Sequence, residues 1–323
     1  MINVTLKDGV IKQFEGDTTV LEVTKGIGAG LFKAACCAKI DGELCDLRTA
    51  ITKDCELEII TFDDIAGKKA FWHTASHVLA QAVKHLYPKA KLATGPAIDS
   101  GFFYDFDVET PFTAEDLAKI EAEMKSIIKT GLILERFELS PDEAIKLMEE
   151  KSEPYKVELI REHAGKGEAI SFYKQGDFVD LCAGPHLYST QPLKAIKLTQ
   201  CTGAYWRGDA NNRQLCRVYG IAFPKQAQLD EHIERLEEAK RRDHRKLGRE
   251  LDLFDIYEEG PGFPFFLPKG IILRNELERF WREEHDKDGY EEIRTPIMLN
   301  EQLWHTSGHY DHYKDNMYFT NID

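Results

Sequence analysis

Two short segments have the residue types and spacing to do chemistry. They are His73-Thr74-Ala75-Ser76-His77 and Asp180-Leu181-Cys182-Ala183-Gly184-Pro185-His186. The first sets two imidazoles four residues apart, and the second sets a thiol and an imidazole at the same interval. Brought together, these side chains form either a metal site or a proton-transfer centre. A Cys-His₃ set suits tetrahedral zinc, whose preferred donors are thiolate and imidazole. Imidazoles that titrate near pH ~6.5 can also move protons with no ion present. A third reading is structural, because a free cysteine commonly serves as a small buried hydrophobe. The metalloprotease signature is excluded, since Thr74 stands where that motif needs its general-base glutamate. Asp180 lies two residues before Cys182 and shares its side of a strand.

The elements that must position these groups follow from hydrophobic periodicity. Residues 71–87 predict a helix, with Val78, Leu79, Ala82, Val83 and Leu86 as the apolar stripe and Pro88 as the stop. His73 and His77 then share one face near the helix N-terminus. Residues 178–181 predict a short strand running into the Cys-Ala-Gly-Pro-His turn. Around them, residues 63–224 read as a mixed α/β unit. It has a strand at 102–106 after a turn bracketed by Gly95-Pro96 and Ser100-Gly101. Helices follow at 113–130, capped by Thr113, and from Ser140-Pro141 to about Lys151. By residue type alone, Tyr104 is a core aromatic and Lys156 a surface lysine after a proline turn.

Residues 1–62 read as a ubiquitin-like β-grasp. Asp8-Gly9 and Asp41-Gly42 mark two hairpins, residues 19–26 a helix capped by Thr18 or Thr19, and residues 57–60 a closing strand. The Gly26-Ile27-Gly28-Ala29-Gly30 run lacks the Lys-Ser/Thr ending of a phosphate loop and reads as a helix-terminating turn. Residues 225–250 read as one exposed helix with a basic C-terminal end, Lys240 to Arg249. Beyond it, a helix is expected at 270–287 with Leu273, Leu277, Phe280 and Trp281 inward. Strands are expected at 290–296 and from 317, in a last unit that reads as truncated.

Composition bounds the rest. At 323 residues the chain suits two or three domains. Its net charge of −14 repels polyanions, so nucleic-acid contact needs a local basic patch. The run around Arg241, Arg242, Arg245 and Lys246 is the one candidate, although such runs are usually solvated faces. Seven cysteines with no CxxC pair favour reduced thiols and a cytoplasmic location. No leader and no apolar run of ~18 residues is seen, which argues against a membrane.

These motifs together resemble bacterial threonyl-tRNA synthetases over the whole chain. Residues 1–62 are similar to their TGS domain. His73-x-x-x-His77 and Cys182-x-Gly184-x-His186 are similar to the two signatures of the editing domain shared with alanyl-tRNA synthetases. Arg242 to Gly248 and Asp252-Leu253-Phe254 resemble the start of the class II catalytic domain, and Tyr290 to Pro296 its motif 1. The resemblance implies an α+β multidomain chain: TGS domain 1–62, editing domain 63–224, linker helix 225–242, and a truncated class II antiparallel-sheet domain 243–323.

It also implies a function. The full-length protein would attach threonine to its tRNA, using ATP, magnesium and zinc held by residues beyond 323. It would dimerise through motif 1. This portion would hydrolyse mischarged Ser-tRNA in a crevice sized for a hydroxymethyl group. His73 and Lys156 would act at the water, with His77, Cys182 and His186 completing the catalytic set. Tyr104, Asp180, Gly95 and Pro96 would meet the substrate, and Asp180 could bind its α-ammonium or orient a histidine. The threonyl version implies no required metal; zinc, if bound, would sit on His73, His77, Cys182 and His186. The rival reading is a non-catalytic RNA-binding module with a structural Cys-His zinc cluster.

Overall fold

The computed structural model describes residues 1–320. The chain divides into two compact units, Met1–Leu236 and Glu237–Asp323.

The first unit opens with a five-stranded sheet in the order Ile11–Phe14, Ile2–Leu6, Cys55–Thr61, Ala35–Ile40, Glu43–Cys45. Ile2–Leu6 and Cys55–Thr61 run parallel, and the other neighbours are antiparallel. Both Asp-Gly hairpins form where expected. Helix Val20–Ile27 covers the sheet and starts at a capping box between Thr19 and Glu22. Val4, Val20, Val23, Leu47 and Leu57 form the core between them.

Residues that follow build around helix Ile65–Leu86, which is buried along most of its length. Ala75, Val78, Leu79, Ala82 and Val83 pack with Phe102, Tyr104 and Phe106 of strand Gly101–Asp107. That strand belongs to a sheet ordered Ala195–Tyr205, Gln214–Phe223, Gly101–Asp107, Lys91–Leu92. A third, antiparallel sheet joins Leu134–Glu138, Ser171–Gln175 and Phe178–Leu181. Helices Pro141–Glu150 and Pro154–Gly165 pack on it through Ala144, Met148, Ile160 and Phe172.

Several expectations are corrected. The central helix begins at Ile65, not near residue 71, so His73 and His77 lie more than two turns inside it. Gly67 makes the early start possible. A Cβ there would fall 1.8 Å from the Thr61 carbonyl oxygen, so only glycine lets the helix leave the sheet so closely. The expected single helix at 225–250 is two, Gln226–Arg241 and His244–Glu250. Asp243 breaks them, its carboxylate capping the second by accepting from Arg245 N–H at 2.9 Å. Cys201 and Cys216 form a disulfide between paired strands, while the other five cysteines are free.

In the second unit, helix Pro268–Lys287 forms as expected. Leu273, Leu277, Phe280 and Trp281, expected inward, are all at least half exposed. Residues 290–296 and 317–320 are not strands, because among the described residues no neighbouring strand supplies their ladder partners. No described helix is long and apolar enough to cross a membrane.

Candidate active site

The central helix and the turn after strand Phe178–Leu181 bring the two motifs together across 109 residues of chain. Cys182 Sγ lies 3.2 Å from His73 Nε2 and 3.1 Å from His186 Nε2. The His186 ring centroid is 4.2 Å from those of both His73 and His77. One donor atom from each of the four residues falls within 4.8 Å of the others.

Thr74 fixes the state of His186. Its hydroxyl donates to the Ala70 carbonyl at 2.8 Å and accepts from Leu187 N–H at 2.9 Å. The remaining contact, to His186 Nδ1 at 3.2 Å, must then be donated by the ring. That assigns the proton to Nδ1 and leaves Nε2 bare toward the thiol. Burial pushes the Cys182 thiol up to about 12, so it stays protonated. Burial, reinforced by His77, lowers His73 to about 3. Burial also lowers His77 to about 4, and His186 falls well below the ordinary imidazole value. All three imidazoles are neutral at pH 7.

A buried charged pair faces them. Lys156, on helix Pro154–Gly165, is 3% exposed and sets Nζ 2.6 Å from Asp180 Oδ1. Tyr104 donates its hydroxyl to Asp180 Oδ2 at 2.6 Å, and His77 Nε2 stands 3.7 Å from the same oxygen. Burial alone would raise the Asp180 carboxyl. Lys156, His77 and Tyr104 together outweigh it and hold the group below the usual range. Asp180 is thus occupied in anchoring Lys156, with both oxygens engaged.

A crevice of about 510 Å³ opens over this arrangement. His73, His77, Lys156, Asp180, Cys182, Gly95 and Pro96 line it. Its size suits a drug-sized ligand, which corrects the expectation of a crevice sized for a hydroxymethyl group: the volume as a whole has room for a branched side chain. Tyr104 is fully buried and lies behind Gly95, where a Cβ would stand 2.0 Å from the Tyr104 ring. The sequence-expected nucleic-acid residues are elsewhere, in the second unit. Each has an acidic neighbour: Arg241 and Arg242 with Glu238, Arg245 with Asp243 at 2.6 Å, and Lys246 with Glu250 at 3.8 Å. Sequence reasoning missed Thr74 and Ser76, whose hydroxyl donates to the Gly95 carbonyl at 2.6 Å. Both sit inside the first motif, where short polar residues in a buried helix were the available signal.

The donor set fits a transition metal. It offers a thiol, bare imidazole nitrogens and a buried His77 Nδ1 that has no hydrogen-bond partner among the described residues. Donor separations of 3.1–3.2 Å at the sulfur approach those of a tetrahedral zinc shell.

Residues 2–61 match the TGS domain, and residues 170–219 match the threonyl and alanyl tRNA synthetase second additional domain. The second match contains Asp180, Cys182 and His186. Over all 323 residues the chain is 63% identical to a threonine–tRNA ligase of Acetivibrio thermocellus. It is 64% identical to that of Clostridium botulinum strain Hall and 63% to that of Clostridium tetani. Throughout its length the chain is similar to threonine–tRNA ligases. It spans about half the length of the curated relatives it matches, 51% of the first two and 50% of the third. The resemblance to threonyl-tRNA synthetases therefore covers both motifs, the β-grasp and the second unit.

Proposed function

We propose that this chain hydrolyses serine wrongly esterified to a threonine-accepting tRNA. The observation that carries the reading is one crevice lined by two neutral imidazoles, His73 and His77, the Cys182 thiol and the anchored Lys156 ammonium, with the buried His186 ring behind the thiol. The need is physical. Serine differs from threonine by one methyl, worth ~1–3 kcal/mol, so a synthetic site cannot reject it well enough. A second site can exclude the larger side chain instead. The whole crevice is wide enough for an aminoacyl ester with its terminal nucleoside. Exclusion of threonine is assigned to its inner wall, at His73, Lys156 and Cys182.

Hydrolysis needs a water, a place for the oxyanion and a proton for the departing ribose oxygen. His73 is neutral, so its lone pair can accept a proton from the attacking water and return it to the departing ribose oxygen as the ester C–O bond breaks. The Lys156 ammonium, held by Asp180, stabilises the tetrahedral oxyanion, and the charge formed there raises the proton affinity of His73. Cys182 lines the crevice beside His73 with the buried His186 behind it, His77 lines it next to Asp180, and Tyr104 is buried behind, holding Asp180. Gly95 and Pro96 form the rim. Threonine attachment, with its ATP, magnesium and zinc, belongs in this reading to the full-length protein. So do dimerisation through the motif 1 region, Tyr290 to Pro296, tRNA contact at Arg241, Arg242, Arg245 and Lys246, and a cytoplasmic setting.

The orphaned His77 Nδ1 favours one second reading, a zinc-bound cluster on His73, His77, Cys182 and His186. Bound zinc would polarise the ester carbonyl or a water. In the preferred reading the site needs no ion. The test is to strip the chain with a chelator, verify its metal content, and follow ester loss from Ser-tRNA and Thr-tRNA. Loss of serine with threonine retained supports the proposal. Equal loss of both contradicts it, and activity restored only by zinc supports the second reading.

A further inference from the structure

A carboxylate from the β-grasp segment reaches under the Cys182–His186 turn. Asp46 Oδ1 accepts from the His186 backbone N–H at 3.1 Å and from Arg48 Nη1 at 2.8 Å. Asp46 Oδ2 accepts from the Tyr173 hydroxyl. Arg48 directs its other donors to three carbonyls: Leu134 at 2.5 Å, Leu187 at 2.5 Å and Tyr188 at 3.0 Å. The Tyr173 ring stands 4.4 Å from the His186 ring, centroid to centroid. Its hydroxyl also occupies the space where a Cβ on Gly184 would fall. Asp46 is 6% exposed, Tyr173 1% and His186 0%.

A buried ion pair is expensive to desolvate, and this one is accompanied by a full set of hydrogen bonds. A guanidinium fork suits the task, because its rigid donors can hold several carbonyls in one geometry. Apart from the bonds of Arg48 and Tyr173 to Asp46 and that of Arg48 to the Leu134 carbonyl, these contacts converge on the stretch from Gly184 to Tyr188, which carries His186. Burial and the Asp46 charge raise the Tyr173 hydroxyl, so it remains a donor. We infer that Asp46 and Arg48 are positioning residues of the hydrolytic site, holding the turn so that His186 Nε2 meets Cys182 Sγ. The β-grasp segment is then a structural part of that site and not only a module for RNA. The inference rests on the hydrolytic reading above for its effect on rate.

The experiment uses the 323-residue chain and Ser-tRNA under single turnover, with Asp46→Asn as the main variant. A misplacement of ~1 Å costs on the order of 10²-fold. The expected result is a roughly 10–100-fold lower rate constant with Ser-tRNA affinity unchanged within about twofold. In a His186→Ala background, Asp46→Asn should change the residual rate by less than about twofold, because both act through one imidazole. Arg48→Lys and Tyr173→Phe test the same contacts should Asp46→Asn fail to fold. Wild-type rates in the folded variants overturn the inference. So does a full Asp46→Asn loss in the His186→Ala background. Histidine-ring NMR separates this from the catalytic question. Asp46→Asn should shift the His186 resonance and leave that of His232 unmoved. An unmoved His186 overturns the positioning claim whatever the hydrolysis, whereas a wild-type chain inert to Ser-tRNA overturns the hydrolytic reading.

Discussion

His73, at about 3, and His77, at about 4, are held neutral chiefly by burial, and that has a consequence for acid stability. In the unfolded chain both would titrate near pH ~6.5. Their folded values are depressed, so below pH ~6.5 the unfolded state binds more protons. Stability is therefore full above that pH and is lost as pH falls toward about 4. Each such histidine adds about 1.4 kcal/mol of loss per pH unit in that window. Denaturant midpoints measured from pH 7 to pH 4.5 should fall steeply, and His77→Ala should flatten the slope. A flat wild-type profile would contradict the burial assignment. His73→Ala should lower Ser-tRNA hydrolysis by at least about 10²-fold, the scale of a general base, with tRNA affinity nearly unchanged. Lys156→Ala should do more harm to the fold. It strands Asp180 buried without its cation, at a cost of about 3–5 kcal/mol, readable as a lowered unfolding midpoint.

The elements hold the site through close approaches. Gly67→Ala would put a methyl against the Thr61 carbonyl and force the central helix away from its sheet. A loss of roughly 1–3 kcal/mol is expected despite alanine's better helix propensity, measured by denaturant unfolding. An unchanged or raised stability would show that the helix can shift freely. The same glycine explains why the helix start at Ile65 was not legible. Lys68 and Lys69 follow it in sequence, and no periodic stripe begins before Ala70. The hairpins were legible because Asp-Gly turns and alternating residues act locally. Both candidate motifs were legible as residue types, but their meeting across 109 residues is a property of sheet order. Lys156 shows the limit best. Its proline context suggested a surface turn, whereas Pro154 is the first residue of a helix that buries Lys156 against Asp180. Leu273, Leu277, Phe280 and Trp281 were misplaced for the opposite reason. An amphipathic stripe records a face that can be covered, not what covers it.

At the scale of the molecule, the site lies wholly within Met1–Leu236, while the exposed basic run lies in the other unit. Limited trypsin digestion should cut first between Lys240 and Arg249. The remaining first unit should stay intact and keep its single-turnover rate at saturating protein. Loss of hydrolysis on that cleavage would place part of the machinery in the second unit. The central claim is that one crevice admits a seryl ester and refuses a threonyl one. Calorimetric titration of the chain with a non-hydrolysable seryl amide of adenosine, beside its threonyl counterpart, tests this most directly. Binding of the seryl compound with the threonyl one at least about tenfold weaker is the predicted result. Equal affinity for both would contradict the account.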